Sequence, residues 1–231
     1  MQILTVQLVN MRGFRPSRTV RRTQEIRSER SRRKILAAAE RAFARDGLAG
    51  ARTDAIAAEA GVNKALLYYY FKSKETLYEA VLEEHLRGFN EKAFEILGAV
   101  GPASALLLRY VDLHFDFISR RHRHAPLFQQ FMAKGGKPPE RLVREYIVPR
   151  AEALRKLLVR GMREGDLRRA EPFHTAVSIA ALIVFYFSSA PVLQIIGHSN
   201  PYAAANLARR KREVRDFVRH GLFVDPEVSP V

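Results

Sequence analysis

Thr53–Phe71 reads T-D-A-I-A-A-E-A-G-V-N-K-A-L-L-Y-Y-Y-F, and the fold is decided by where this stretch starts and stops its helices. Thr53 is placed to cap a helix, with Asp54 favourable in its first turn. Ile56, Ala57 and Ala60 share a face, Gly61 breaks the pattern, and Asn63 can cap a further short helix through Tyr70. Two short helices joined at a glycine match the helix-turn-helix pattern, in which residues such as Ala57 and Val62 allow tight packing near the turn. That spacing also arises in ordinary helical hairpins. The three consecutive tyrosines are more telling, because a purely structural helix would not expose so many aromatics on adjacent faces. Leu67 and Phe71 are expected in the core, with Tyr70 partly packed. In a helix-turn-helix the second helix enters the major groove. Lys64 can then donate to guanine or phosphate, Ala65 and Leu66 can touch a thymine methyl, and tyrosine hydroxyls can reach phosphates.

The helical pattern extends in both directions. Upstream, Ile35, Ala39, Ala42 and Phe43 form an apolar stripe that Gly47 terminates. Downstream, Ser73 is the next cap, and Leu82, Leu86, Phe89, Ala93 and Ile96 share one face of a long fourth helix. Gly98, Gly101 and Pro102 mark a boundary before a fifth helix with Leu106, Tyr110, His114 and Phe117. Pro126 and Gly135–Pro139 bracket a short sixth, containing Phe128, Phe131 and Met132. A seventh covers Glu140 to Glu164, kinked at Pro149 and ended by Gly165. Pro172 opens an eighth, and Tyr202–His220 reads as a ninth. No segment alternates with a strand period. The expected fold is all-α, with about nine helices.

The 231 residues carry 39 Lys and Arg against 24 Asp and Glu, a net charge of +15. Residues 1–74 hold 16 of the basic and 6 of the acidic groups, so two-thirds of the excess lies in the first third of the chain. A gradient of that kind points to a polyanionic partner, since each cation that neutralises a phosphate releases a counterion. Arg12–Arg22 carries five arginines and a proline. Residues 1–26 are read as a basic disordered tail, with phosphate or minor-groove contact as the alternative; Met11 offers a second start. The absence of cysteine excludes disulfides, thiolate zinc sites and thiol redox sensing. Met1–Met11 lacks the basic lead of a secretory signal, and a cytoplasmic location is expected. Thr175–Gly197 is uncharged and close to the ~20 residues of a membrane span. Ser178, Ser188, Ser189, Pro191 and Gln194 interrupt it, so a core or subunit-interface helix is expected instead, with no membrane partner.

From Arg27 to about Leu97 the sequence resembles the TetR family of bacterial regulators. The densest part is A-G-V-N-K-A-L-L-Y-Y-Y-F-K-S-K-E-T-L, Ala60–Leu77, in which L-Y-x-Y/H-F-x-S/N-K-x-x-L looks like the family's signature. The resemblance implies a helix-turn-helix DNA-binding domain over 27–74 and a ligand-sensing and dimerisation domain over 75–225. It places Arg52 and Thr53 on phosphate, Lys64, Ala65 and Leu66 at the base-facing positions of the reading helix, and Tyr68 and Tyr69 on the DNA backbone, with Asn63 also counted among the DNA-binding residues. Leu66 departs from the polar residue common at its position. Lys74 would favour phosphate together with a helix dipole. The implied partners are a double-stranded DNA operator, a second copy of the chain, and an unidentified small-molecule effector. Repression is the usual mode, with activation or nonspecific nucleic-acid binding as alternatives.

Two copies of the eighth and ninth helices would bury the uncharged stretch as a four-helix bundle. The resulting symmetry predicts a palindromic operator with half-sites about one DNA turn apart. Ligand binding between the C-terminal helices would move the fourth helix, which leads out of the DNA motif. Candidate pocket residues are His114, Phe117, Phe128, Phe131, Met132, Phe185 and Tyr186, aromatics with few polar groups, although for any single one plain core is the better reading. The run Arg121-His122-Arg123-His124 puts its histidines on different sides of a helix, so no metal site is expected. Nor is a cofactor or an enzymatic activity. There is no Walker lysine loop, dinucleotide fingerprint, nucleophile elbow or paired carboxylate, and prolines follow Gly135-Gly136-Lys137.

Overall fold

The computed structural model describes residues 18–120 and 139–224. The expected sixth helix, with Phe128, Phe131 and Met132, and the Arg121–His124 run lie outside the described residues. Every regular element described is helical, and the all-α expectation holds.

Helix α1, Arg18–Gly50, presents Ile35, Ala38, Ala39, Ala42 and Phe43 to the core and breaks its helical geometry at Gly47, whose φ of 68° suits glycine. The helix takes in Arg18–Ile26, which the sequence assigns to the disordered tail. No Gly or Pro follows Pro16 until Gly47, and a helix already anchored by its packed half propagates through Arg, Gln and Glu at little cost. Helix α2 is Thr53–Ala60, α3 is Lys64–Phe71 and α4 is Lys74–Leu97. Ser73 and Thr76 cap α4 reciprocally, as the sequence anticipates for Ser73. The first half of α4 packs Leu77, Tyr78, Val81, Leu82 and Leu86 against α1 and α3, in one cluster with the apolar face of α2, and Phe43 meets Tyr78 edge-on at 5.2 Å. Its second half packs Phe89 and Ala93 into a separate cluster.

That second cluster is built on α5, Ala103–Arg120, which buries Leu106, Leu107, Tyr110, Val111 and Phe115. Helix α6 is composite: Glu140–Leu142, a π-helical turn Val143–Ile147, and Val148–Glu164. The expected kink at Pro149 takes the form of this wide turn. Proline lacks an amide hydrogen and its ring crowds the carbonyl four residues back, so the helix widens just ahead of it. Asn90 Nδ2 donates to the Tyr146 carbonyl within the turn at 2.8 Å.

Helices α7, Pro172–Ser188, and α8, Ala190–Ile196, divide the uncharged stretch and are bent 71° apart. Pro191 explains the break, because it cannot donate to the Phe187 carbonyl. Tyr202 Oη donates there instead, at 3.3 Å. Among the described residues no single helix is long and apolar enough to cross a membrane. Helix α9, Ala204–Leu222, crosses α5 with Lys211 on Asp116 at 2.8 Å and Arg215 on Asp112. Beyond Gly165, the Asp166 carboxylate caps α5 through Ser104 N and Oγ, at 2.6 and 2.7 Å.

Two glycines make the packing testable. A Cβ on Gly161 would lie 2.7 Å from Ala103 Cβ and from Leu167, whereas one on Gly88 in α4 would meet nothing within 4 Å. Gly161→Ala should lower stability by ~1–3 kcal/mol through overpacking, and Gly88→Ala should raise it by ~0.5–1 kcal/mol through backbone entropy. Urea denaturation of both variants checks this, and a stabilised Gly161→Ala would contradict the packing.

Candidate functional site

Helices α2 and α3 meet at Gly61, which is left-handed at φ 66° and ψ 37°. Its amide donates to Ala58 O at 3.1 Å, and Val62 N donates to Ala57 O at 3.0 Å, closing the end of α2 tightly. Asn63 Oδ1 then accepts from Leu66 N at 2.7 Å and starts α3. Ile56, Ala57 and Ala60 of α2 and Leu67 and Phe71 of α3 face the core, so the remaining sides of both helices are presented outward. Lys64 and Ala65 are exposed, Leu66 is half-buried, and Tyr69 is 69 % exposed against 37 % for Tyr68. Tyr70 is partly packed, its hydroxyl donating to Ser28 O of α1 at 3.1 Å.

Several of these groups touch one another. Lys64 Nζ lies 2.7 Å from Asp54 Oδ1, and this ion pair raises the ammonium's pKa while holding the carboxyl below its usual range. Thr53 Oγ1 and Tyr68 Oη are hydrogen-bonded at 3.2 Å. Arg52, exposed beside them, is the N-cap of α2, not Thr53. Thr53 is already helical and its hydroxyl is turned to Tyr68, so it does not cap. Arg52, Thr53, Asp54, Lys64 and Tyr68 thus form one polar face built from the start of α2 and the outer side of α3. The sequence alone shows Asp54 only as a helix-dipole residue. Its partnership with Lys64, ten positions on, depends on the angle between α2 and α3.

Lys74 also differs from expectation. Its ammonium donates to Ala49 O at 3.1 Å and Ala51 O at 3.2 Å, fastening α4 to the end of α1, where free carbonyls carry partial negative charge. One N–H remains for a phosphate. Between α3 and α4, Lys72 adopts φ 58° and ψ −46° at the centre of a three-residue turn closed by Ser73 N on Phe71 O at 2.5 Å.

Of the pocket candidates, His114 and Phe117 come together around Phe89, with ring centroids 5.0 and 4.9 Å from it. Phe185 is 63 % exposed on the outer side of α7, and Tyr186 donates to Pro201 O at 2.7 Å under the Arg210 guanidinium. These two do not join the His114 cluster. The sequence reading missed Asn90 and Arg150, which do. Arg150 places its guanidinium 4.8 Å from the Phe89 centroid. Among the described residues no group of three His, Cys, Asp or Glu is arranged to hold a metal ion.

Comparison with known proteins agrees with this geometry. The family model for bacterial regulatory proteins of the tetR family matches residues 35–81, and that for the tetracyclin repressor-like C-terminal domain matches residues 105–218. The transcriptional regulator RutR of Escherichia coli is 30% identical over 166 residues, covering 70% of this chain and 76% of RutR. The transcriptional repressor NicS of Pseudomonas putida is 28% identical over 177 residues, covering 70% and 78%. A transcriptional regulator of Saccharomonospora viridis, solved in complex with choline, superposes with a TM-score of 0.69 at 20% identity, over 84% of this chain and 98% of that one. With a helix-turn-helix of this geometry and both family domains in order, the chain belongs to the TetR family of helix-turn-helix transcriptional regulators.

Proposed function

We propose that the chain is a homodimeric repressor that holds a palindromic operator through two copies of α3 and releases it when a small molecule binds in the C-terminal helices. The observation that carries this reading is the sharing of α4 between two cores. Leu86 belongs to the cluster under α2 and α3, and Phe89, one turn on, belongs to the cluster around α5 and α6. Repacking around Phe89 therefore moves the helix on which the reading head sits.

The dimer rests on the outer faces of α7 and α9. Phe173, Val177 and Phe185 of α7 and Phe217 of α9 are at least half exposed, and a groove of about 300 Å³ between the two helices is lined by Ile179, Leu182, Phe217 and Val218. An apolar surface of that extent is what a subunit interface covers. A two-fold dimer through it gives the reading helices the symmetry of a palindrome, with half-sites ~34–36 Å apart. Lys64 then leaves Asp54 or shares its charge with DNA when it reads a base. Tyr68 and Arg52 sit beside it, and Tyr69 stands exposed further along α3, to meet phosphate.

Selection of bound DNA from a random pool by the full-length protein, followed by a screen for compounds that release it, tests the reading. A two-fold symmetric consensus supports it; recovered DNA without a shared sequence contradicts it. Lys64→Ala should weaken operator binding by ~1–3 kcal/mol and change the preferred base at one position per half-site. Lys74→Ala should weaken all sequences alike and flatten the salt dependence by about one counterion. Unchanged base preference in the first, measured by competition titration, would remove Lys64 from readout. The double variant Phe185→Asp/Phe217→Asp should run as a monomer in sedimentation and lose operator affinity; a persistent dimer would place the interface elsewhere.

A further inference from the structure

Between α4, α5 and α6 lies a guanidinium that, among the described residues, has only neutral partners. Arg150 Nη1 donates to Asn90 Oδ1 at 2.6 Å, Tyr110 is its other hydrogen-bonding neighbour, and its Cζ is 4.8 Å from the Phe89 ring centroid. Among the described residues no carboxylate reaches it. The contrast along the same helix is direct: Arg141, Arg144 and Arg155 each have a glutamate at 2.8, 2.5 and 2.7 Å. The stretch 121–138, outside the described residues, contains no Asp or Glu and so has no carboxylate to give. A largely buried cation without a counter-ion is costly, and Asn90 and Tyr110 offset that cost only in part. The second unsatisfied group is His114, which faces the same place: its Nδ1 is buried and has no hydrogen-bond partner among the described residues. Burial first, then the Arg150 charge, push the imidazole pKa down to about 3, so the ring is neutral and one nitrogen carries a hydrogen.

We infer that Arg150, Tyr110 and His114 form a receptor for the carboxylate of a small organic acid whose apolar body lies against Phe89 and Phe117. This rests on the reading of the chain as an effector-released repressor and specifies the effector's class. A guanidinium offers the paired donors that a carboxylate takes up, a Tyr hydroxyl and an imidazole N–H complete the set, and aromatic rings supply contact for the body. The acid competes with Asn90 Oδ1 for Arg150. Asn90 also holds the Tyr146 carbonyl in the π turn at 2.8 Å, and Tyr146 Oη donates to Glu83 at 2.8 Å in the reading-head half of α4. Displacing Asn90 therefore loosens a contact that reaches the helix shared with the DNA-binding core.

The test uses the full-length protein with benzoate and octanoate, each against its neutral amide, read by thermal unfolding and titration calorimetry. Both acids should raise the unfolding temperature, and each should bind about tenfold or more tighter than its amide. Arg150→Met should erase that difference. Should Arg150→Met not fold, Asn90→Asp serves instead. It supplies Arg150 with a carboxylate from within, and the protein should then ignore added acid. Equal binding of acids and amides, no binding of either acid, or undiminished acid binding in a folded variant would overturn the receptor. Acids that bind but leave operator affinity unchanged would keep the receptor and refute release by it. Neutral compounds that release the operator, with no preference for acids, would do the reverse.

Discussion

Leu86 and Phe89 are one turn apart on α4 and are buried in different cores. Everything else in the molecule depends on that constraint. Close-packed interiors do not deform continuously, so a shift of α4 registered at Phe89 must be taken up at Leu86, Leu82 and Leu77 as well. Gly88 stands between the two cores with open space where a side chain would be, and it leaves the helix without a bulky contact at the crossing. At its N-terminus α4 is tied firmly. The Ser73–Thr76 capping box, the Thr76 hydroxyl on the Phe71 carbonyl, and the Lys74 ammonium on Ala49 and Ala51 fix its angle to α3 and α1.

A second set of contacts joins the same helix to α6. Arg141 and Tyr146 both hold Glu83, and the Arg141 hydrogen bond is the main reason its carboxyl titrates below the usual range. Asn90 bridges Arg150 and the π turn. The helix that leads out of the DNA-binding motif is therefore gripped along one side by α6, and α6 carries its irregular turn where those grips converge. Pro149 explains the turn, and Asn90 holds the Tyr146 carbonyl within it. On the far side of the second core, α7 and α9 keep Ile183, Phe187, Val214 and Val218 inside while turning Phe185 and Phe217 outward.

What could be read from the sequence was whatever depends on neighbours in the chain. Asn63 and Ser73 as caps, Gly61 as the turn, and Leu67 and Phe71 as core follow from propensity and period, and the structure has them all. The break near Ser189 was also within reach, since Pro191 forbids a continuous helix. The remaining features depend on partners far along the chain. Lys64 pairs with Asp54 across a turn, Lys74 finds carbonyls more than twenty residues earlier, and Arg150 meets Asn90 sixty residues away. No spacing rule brings those groups together. Phe185 misled because aromatic character alone does not tell an inward face from an outward one on a helix that is apolar almost all round.

Because α4 is packed into both cores, it couples the DNA-binding motif to the C-terminal core. Coupling between binding sites is reciprocal, so DNA itself can probe it without any effector. Amide hydrogen exchange of the full-length protein, measured with and without its selected operator, is the most direct test. Slowed exchange is expected along α4 beyond Leu86, through Phe89–Leu97, and in the π turn Val143–Ile147 packed beside it. Protection confined to residues 52–76 would contradict it.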